Sequence, residues 1–282
     1  MATESGNGRC GEAGAIPVRD IHFDLSSSPL CWHGGRAGVT AFFDAMSACF
    51  PLGEKFFIKS VKRAMTSNDD PTQSAAVRGF IGQESIHSRE HAAYNKRLVD
   101  AGYDIAFMER KQAATIAWIE NRLSVDAAVG ITACMEHLTS ILAEQITGDE
   151  AYLEGADAVM RDLWLWHCME EAEHGAVAFD VSMQRKRGYF FRIFVMLLST
   201  WMFLEIITRN FRTIAAKRLE PRAVREALGF LFISPGLARR SFVPYLRWYL
   251  PGFHPAKGPA RARAERYRAQ FDLRASSPAE NS

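Results

Sequence analysis

Two stretches, QESIHSREH at 83–91 and WHCMEEAEH at 166–174, set acids and histidines among mostly apolar neighbours. A helix turns about 100° per residue, so Glu84, His87 and His91 fall within a wedge of about 60°. His167, Glu171 and His174 do the same in the second stretch. Small or apolar flanks (Phe80, Ile81, Ala92; Leu163, Val177, Ala178) turn both stripes inward. A carboxylate oxygen and an imidazole nitrogen three residues apart suit a transition metal such as iron, manganese or zinc.

Glu-x-x-His on each of two helices, plus one Glu from each of two others, is the ligand set of carboxylate-bridged di-metal bundles. That set demands a buried Glu on the helix before each motif, and Glu54 in FPLGEKFF and Glu136 in ITACMEHLTSI meet the demand. The separations, 30 residues from Glu54 to Glu84 and 35 from Glu136 to Glu171, read as a duplicated helical hairpin. Four carboxylates in a dry interior repel one another severely. Two divalent cations would cancel them. The expected metal ligands are therefore Glu54, Glu84, His87, Glu136, Glu171 and His174. Glu170 and Glu173 point away from this stripe and are expected to meet solvent or outer partners. His91 and His167 are left open: extra ligands, residues that orient a ligand, or proton carriers. His137 is expected to be structural or an outer partner, and Cys134 and Cys168 to pack as small apolar residues.

The elements that must carry these groups are helical. Residues 40–66 show three- and four-residue apolar spacing with a bend at Pro51–Gly53. Asp70 and Pro71 open a long helix ending near 100–102, 109–120 form a short one, and Ser124 opens another that closes before Gly148. A further helix is expected from about Asp157 to Arg187. No sustained two-residue alternation appears, so the fold class is all-α, a ferritin-like four-helix bundle with a C-terminal apolar and basic helical extension. The expected organisation is a disordered leader over 1–16, the bundle over 17–188, the extension over 189–256, and a basic, disordered tail over 257–282.

Charge divides the chain in the same place. From Arg185 onward there are 19 Lys/Arg against 6 Asp/Glu, whereas the first 184 residues carry 15 against 26. Basic character joined to apolar content favours an anionic membrane surface over nucleic acid, for which no recognised module is present. The run YFFRIFVMLLSTWMFLEIIT at 189–208 holds only twelve uncharged residues between Arg192 and Glu205, short of the roughly 20 of a membrane span. Its two charges lie about 220° apart around the helix, which argues against a simple surface-lying amphipathic helix, so the run is expected either to wall an apolar channel or to lie partly in lipid. Five scattered cysteines without a CxxC pair imply a reducing compartment, and the first sixteen residues lack a secretory signal. The expected location is cytoplasmic, with peripheral association on the inner membrane as the alternative.

The pieces FPLGEKFF, FIGQESIHSREH, MEHLT, WHCMEEAEH with the following AVAFDV, and PGFHP together resemble a bacterial family described as predicted metal-dependent hydrolases, placed with ferritin-like di-metal proteins. They occur in order over roughly 17–256. The resemblance implies the six ligands named above, with His91 and His167 as further pattern positions, and it assigns PGFHP no role.

Three functions follow from these readings. The favoured one is a di-iron enzyme that activates dioxygen on an apolar, lipid-like substrate with an external electron donor. In it His91 and His167 are the candidate catalytic residues, giving nitrogen donation or protons. The alternative is a hydrolase in which two metals activate water. The second alternative is metal storage or oxidant detoxification.

Overall fold

The computed structural model describes residues 16–66, 70–218 and 221–276. Its elements are α1 (Ala37–Ser47), α2 (Phe50–Ala64), α3 (Pro71–Asp100), α4 (Ile105–Arg122), α5 (Val125–Gly148), α6 (Ala158–His174), α7 (Val177–Gln184), α8 (Tyr189–Arg218), α9 (Pro221–Leu228), α10 (Leu237–Arg247) and α11 (Ala260–Ser276). Among the described residues no strand forms beyond an isolated bridge between His33 and Ala156. The protein is all-α.

Side-chain caps set the starts of the site-bearing helices. Asp70 accepts from Thr72 N and precedes Pro71, Ser124 accepts from Ala127 N, and Asp157 accepts from Met160 N. Helix α2 packs on α3 and α5, and α6 packs on α5 and α3, so these four helices form a ring with the site inside. Fully buried Phe80 and Trp166 help to close it. Burying each of these side chains stabilises the fold by roughly 1.5–3 kcal/mol.

Four expectations change. The helix expected over 40–66 is divided at Ala48–Cys49, just before Pro51, because proline is favoured in a helix's first turn and disrupts its interior. The helix expected through Arg187 breaks at Gly175–Ala176, giving α6 and α7. The short helix at 109–120 extends to Ile105–Arg122, with Asp104 accepting from Phe107 N. The tail expected to be disordered over 257–282 instead carries α11, which lies on α5 and α6. Its charge density hid the apolar pair Ala264 and Phe271, both buried, and its arginines meet acids of the body through Arg268–Glu173 at 2.8 Å. The expected leader falls outside the described residues except for residue 16, as do residues 277–282.

Ahead of α1, the extended segment at 16–19 lies directly on α3. A Cβ on Gly79 would meet Ile16 O at 2.4 Å, so only glycine permits this approach. The segment delivers Pro17 O to Gln83 Nε2 at 2.7 Å and the Arg19 side chain to α6.

Candidate metal centre

Helix α2 supplies Glu54, α3 supplies Glu84 and His87, α5 supplies Glu136, and α6 supplies His167, Glu171 and His174, all buried. Single donor atoms of Glu84, His87, Glu171 and His174 lie within 4.8 Å of one another, as do those of Glu54, His87 and His167. His87 belongs to both groups. His174 Nδ1 lies 2.8 Å from Glu84 Oε1 and 3.6 Å from Glu136 Oε2. Glu171 Oε1 sits centrally, 3.4 Å from His167 Nε2, 3.7 Å from His174 Nδ1 and 3.8 Å from His87 Nδ1.

Each imidazole is held by its outer nitrogen. His87 Nε2 donates to Glu170 Oε2 at 3.0 Å. His174 Nε2 donates to Gln83 Oε1 at 2.7 Å, and that amide is oriented because its Nε2 donates to Pro17 O and Glu173 Oε2. His167 Nδ1 meets His91 Nε2 at 3.0 Å, and His91 Nδ1 meets Ser47 Oγ at 2.9 Å. Ser47 Oγ gives its own proton to Asn95 Oδ1, so it accepts from His91 Nδ1–H. Neutral His91 then presents a lone pair at Nε2, which takes the His167 Nδ1–H. Neutral His87 and His167 thereby turn lone pairs inward at Nδ1 and Nε2, and His174 does so at Nδ1 once a cation replaces the proton that its neighbouring glutamates hold there.

These three nitrogens, and both oxygens of Glu54, Glu84 and Glu136, are buried without a hydrogen bond. Lone pairs facing carboxylates in a dry interior repel unless a cation or protons lie between them. The pKa directions record that conflict. Burial, then neighbouring carboxylates, raises Glu54 and Glu136 well above the usual range, and burial raises Glu171 to about 7. Burial pushes His87 down to about 3 and holds His91 and His167 well below the usual histidine value. Burial also opposes charge on His174, but Glu84, Glu136 and Glu171 outweigh it and raise that imidazole. The donor set of mixed nitrogen and oxygen atoms fits transition-metal cations. Glu54, Glu84, His87, Glu136, His167, Glu171 and His174 would hold them.

The two halves are related position by position. Gln83 precedes Glu84 and Glu170 precedes Glu171, and each holds the histidine of the opposite helix. Four residues before each motif glutamate stand Phe80 and His167. Phe80 packs edge-on to His174 at 4.9 Å between centroids, and His167 packs on His87 at 4.3 Å. The site is thus asymmetric, with an added nitrogen on one side and a phenyl ring on the other.

His167 therefore faces the centre, whereas His91 stands behind it and does not. His91→Phe removes the acceptor of the His167 N–H, and we expect metal affinity to fall by roughly 10–100-fold, read by chelator competition. His137 lies outside the cluster, against Trp248 and Phe253.

Sequence reasoning missed Arg19, Gln83, Ser47, Asn95 and Thr139. Arg19 is buried, with Nη1 donating to Glu170 at 3.0 Å and to Glu173 at 3.2 Å, and Nε to Asp272 of α11 at 2.6 Å. It ties the N-terminal segment and α11 to the acid that orients His87. Thr139 donates to Glu171 Oε2 at 2.5 Å, leaving Oε1 to face the histidines. Of these, Gln83 had a readable signal: the position it shares with Glu170 in the repeated motif. The PGFHP piece joins the other family pieces in space, with His254 Nε2 at 2.8 Å from Asp180 Oδ1 of AVAFDV.

A cavity of about 450 Å³ lies among α1, α5, α8, α9 and α10, lined by groups such as Leu138, Phe203, Ile207 and Leu231. A crevice of about 20 Å³ reaches His167 and Glu171, and Phe42 and Leu142 line both spaces. Phe42 and Leu142 therefore stand where the two spaces come nearest each other.

A family model described as predicted metal-dependent hydrolase matches residues 17–258. No curated protein and no solved structure matches the chain.

Proposed function

The chain belongs to the predicted metal-dependent hydrolases, and from the donor set of its centre and the apolar cavity beside it we propose a dinuclear metal enzyme that oxidises an apolar chain with dioxygen. The observation that carries the metal reading is the set of buried inward lone pairs on His87, His167 and His174, each fixed by an outer partner. Two ions with three nitrogens and four carboxylates resemble the donor set of ferritin-like di-metal proteins.

Ferrous ions held there would supply electrons and binding positions for dioxygen. The protein's own groups do the rest. Thr139 keeps Glu171 Oε1 inward, and Phe50, stacked on His167 at 4.6 Å, helps to exclude water. Phe42 and Leu142 stand between the larger cavity, which would take an aliphatic segment, and the crevice beside His167 and Glu171. The His91–Ser47–Asn95 chain holds the His167 proton at Nδ1. For hydroxylation, one C–H bond and one dioxygen become a C–OH and a water. Two electrons and two protons come from an external reductant.

Hydrolysis is the second reading, and the family description favours it. There the same groups would hold metals that lower the pKa of a water, and the product oxygen would come from solvent. Isotope labelling separates the two. Oxygen from labelled dioxygen in the product supports oxidation; oxygen from labelled water, formed equally well without dioxygen, overturns it in favour of hydrolysis. Dioxygen uptake with no organic product would point instead to storage or detoxification.

The route has its own test. Leu142→Trp should reduce kcat/KM for long-chain substrates at least about tenfold with metal content unchanged, because the indole blocks the junction between the two spaces. Undiminished turnover would exclude that path.

A further inference from the structure

Helix α8 has two faces with different partners. Its inner face packs on α1 and α5 and contributes Phe203 and Ile207 to the apolar cavity. Its outer face carries Phe190 (84% exposed), Phe194, Leu197, Trp201 (65%) and Leu204. These five fall within a wedge of about 80° and span roughly 21 Å of helix, with Arg212 ending the same line. Helix α10 adds Phe242, Val243, Leu246 and, just beyond its end, Leu250, all exposed. Arg239 shares that side of α10 and makes no ion pair among the described residues, and exposed Arg247 stands at its edge, within the field of Glu144. Exposed Phe232 and Ile233 from the turn after α9 lie nearby, with Arg239 donating to Ile233 O.

So much apolar surface, interleaved with unpaired arginine, matches an interface between hydrocarbon and anionic headgroups. The cavity is continuous with it: Leu204, Val224, Leu228, Phe232 and Phe242 line the cavity and are themselves exposed. Although its uncharged run is only twelve residues, the whole of helix α8 is long and apolar enough by length and composition to cross a membrane, with mean hydropathy 1.9 over its most apolar stretch. However, its inner face is committed to the protein, and Arg192 on that face donates to Leu250 O at 2.9 Å. Only one side is free for lipid.

We infer that the α8–α10 face docks flat on an anionic bilayer and that the cavity opens into it, so an apolar substrate enters from the membrane rather than from water. The entry route rests on the function proposed above. The docking does not.

The test uses full-length protein in density-gradient flotation, with phosphatidylcholine vesicles containing or lacking phosphatidylglycerol. The protein should float with the anionic vesicles, less with neutral ones, and less at high salt. Trp201→Glu with Phe242→Glu should reduce the floating fraction at least about tenfold while helicity and metal content stay unchanged. Quenching of tryptophan fluorescence by brominated lipid should be lost in Trp201→Phe. Recovery at the bottom of the gradient with both vesicle types overturns docking, as does equal flotation of the double variant. Concentration-dependent self-association that the double variant abolishes, without flotation, would assign the face to a second copy instead. Metal-free protein that still floats counts against the metal reading alone, whereas metal-loaded protein that stays at the bottom counts against docking alone.

Discussion

Glu171→Ala is expected to lower the purified protein from two metal ions per chain to one or none. Glu171 Oε1 is the oxygen that approaches all three inward histidine nitrogens, at 3.4–3.8 Å. Removing it takes away both a donor and the negative charge that balances a cation between His87, His167 and His174. The loss should exceed the roughly 100-fold that an outer partner contributes. Thr139→Val provides the graded comparison. It removes only the donor to Glu171 Oε2, so its effect should stay within about 10–100-fold. Elemental analysis and chelator competition read both variants. Two ions retained by Glu171→Ala would remove Glu171 from the ligand set.

Stripping the metal should destabilise the protein in a way that depends on pH with a definite sign. In the metal-free fold, Glu54, Glu136 and Glu171 have raised pKa values, so the folded state holds more protons than the unfolded chain. That contribution is fully present below the unfolded carboxylate value and is lost as pH rises through the folded one. For Glu171 the window runs from 4.5 to about 7. His174, also raised, loses its contribution in the same direction as pH rises. His87, His91 and His167 are lowered and act oppositely, favouring the fold less as pH falls below 6.5. Above about pH 7.5 those three are neutral in both states, so only the carboxylates and His174 shape the curve there. Free metal at about 1,000 times its Kd would stabilise the loaded fold by about 4 kcal/mol, or roughly 10 °C in Tm for a chain of this size. Chelated protein should therefore melt about 10 °C below metal-loaded protein at pH 8, with the gap narrowing as pH falls toward about 7.5. Calorimetry across that interval checks it. A gap that widens as pH falls would contradict the electrostatic account.

The parts of this fold that were legible in sequence are those governed by periodicity. Glu84, His87, Glu171 and His174 share faces because the helix repeat puts them there, and Asp70, Ser124 and Asp157 mark starts by cap chemistry. Glu54 and Glu136 were legible only because the repeated motif demanded a partner before each copy. The remaining features depend on contacts between segments far apart in the chain. Arg19 reaches Asp272 across 253 residues, and no local pattern marks an arginine that ends up buried. Ser47 acts through His91 because α1 crosses α3, which spacing alone does not reveal. Helix α11 reads as a charged tail because the acids that neutralise its arginines lie on other elements. His167 and His91 looked equivalent in sequence, and packing separates them: one faces the glutamates and the other faces Ser47.

The most direct measurement is the metal content of the full-length protein, purified without chelators or affinity metals, by elemental analysis. The account predicts two transition-metal ions per chain, reduced in Glu171→Ala. Protein that is folded, free of metal, and unchanged in Tm when iron, manganese or zinc is added would contradict it.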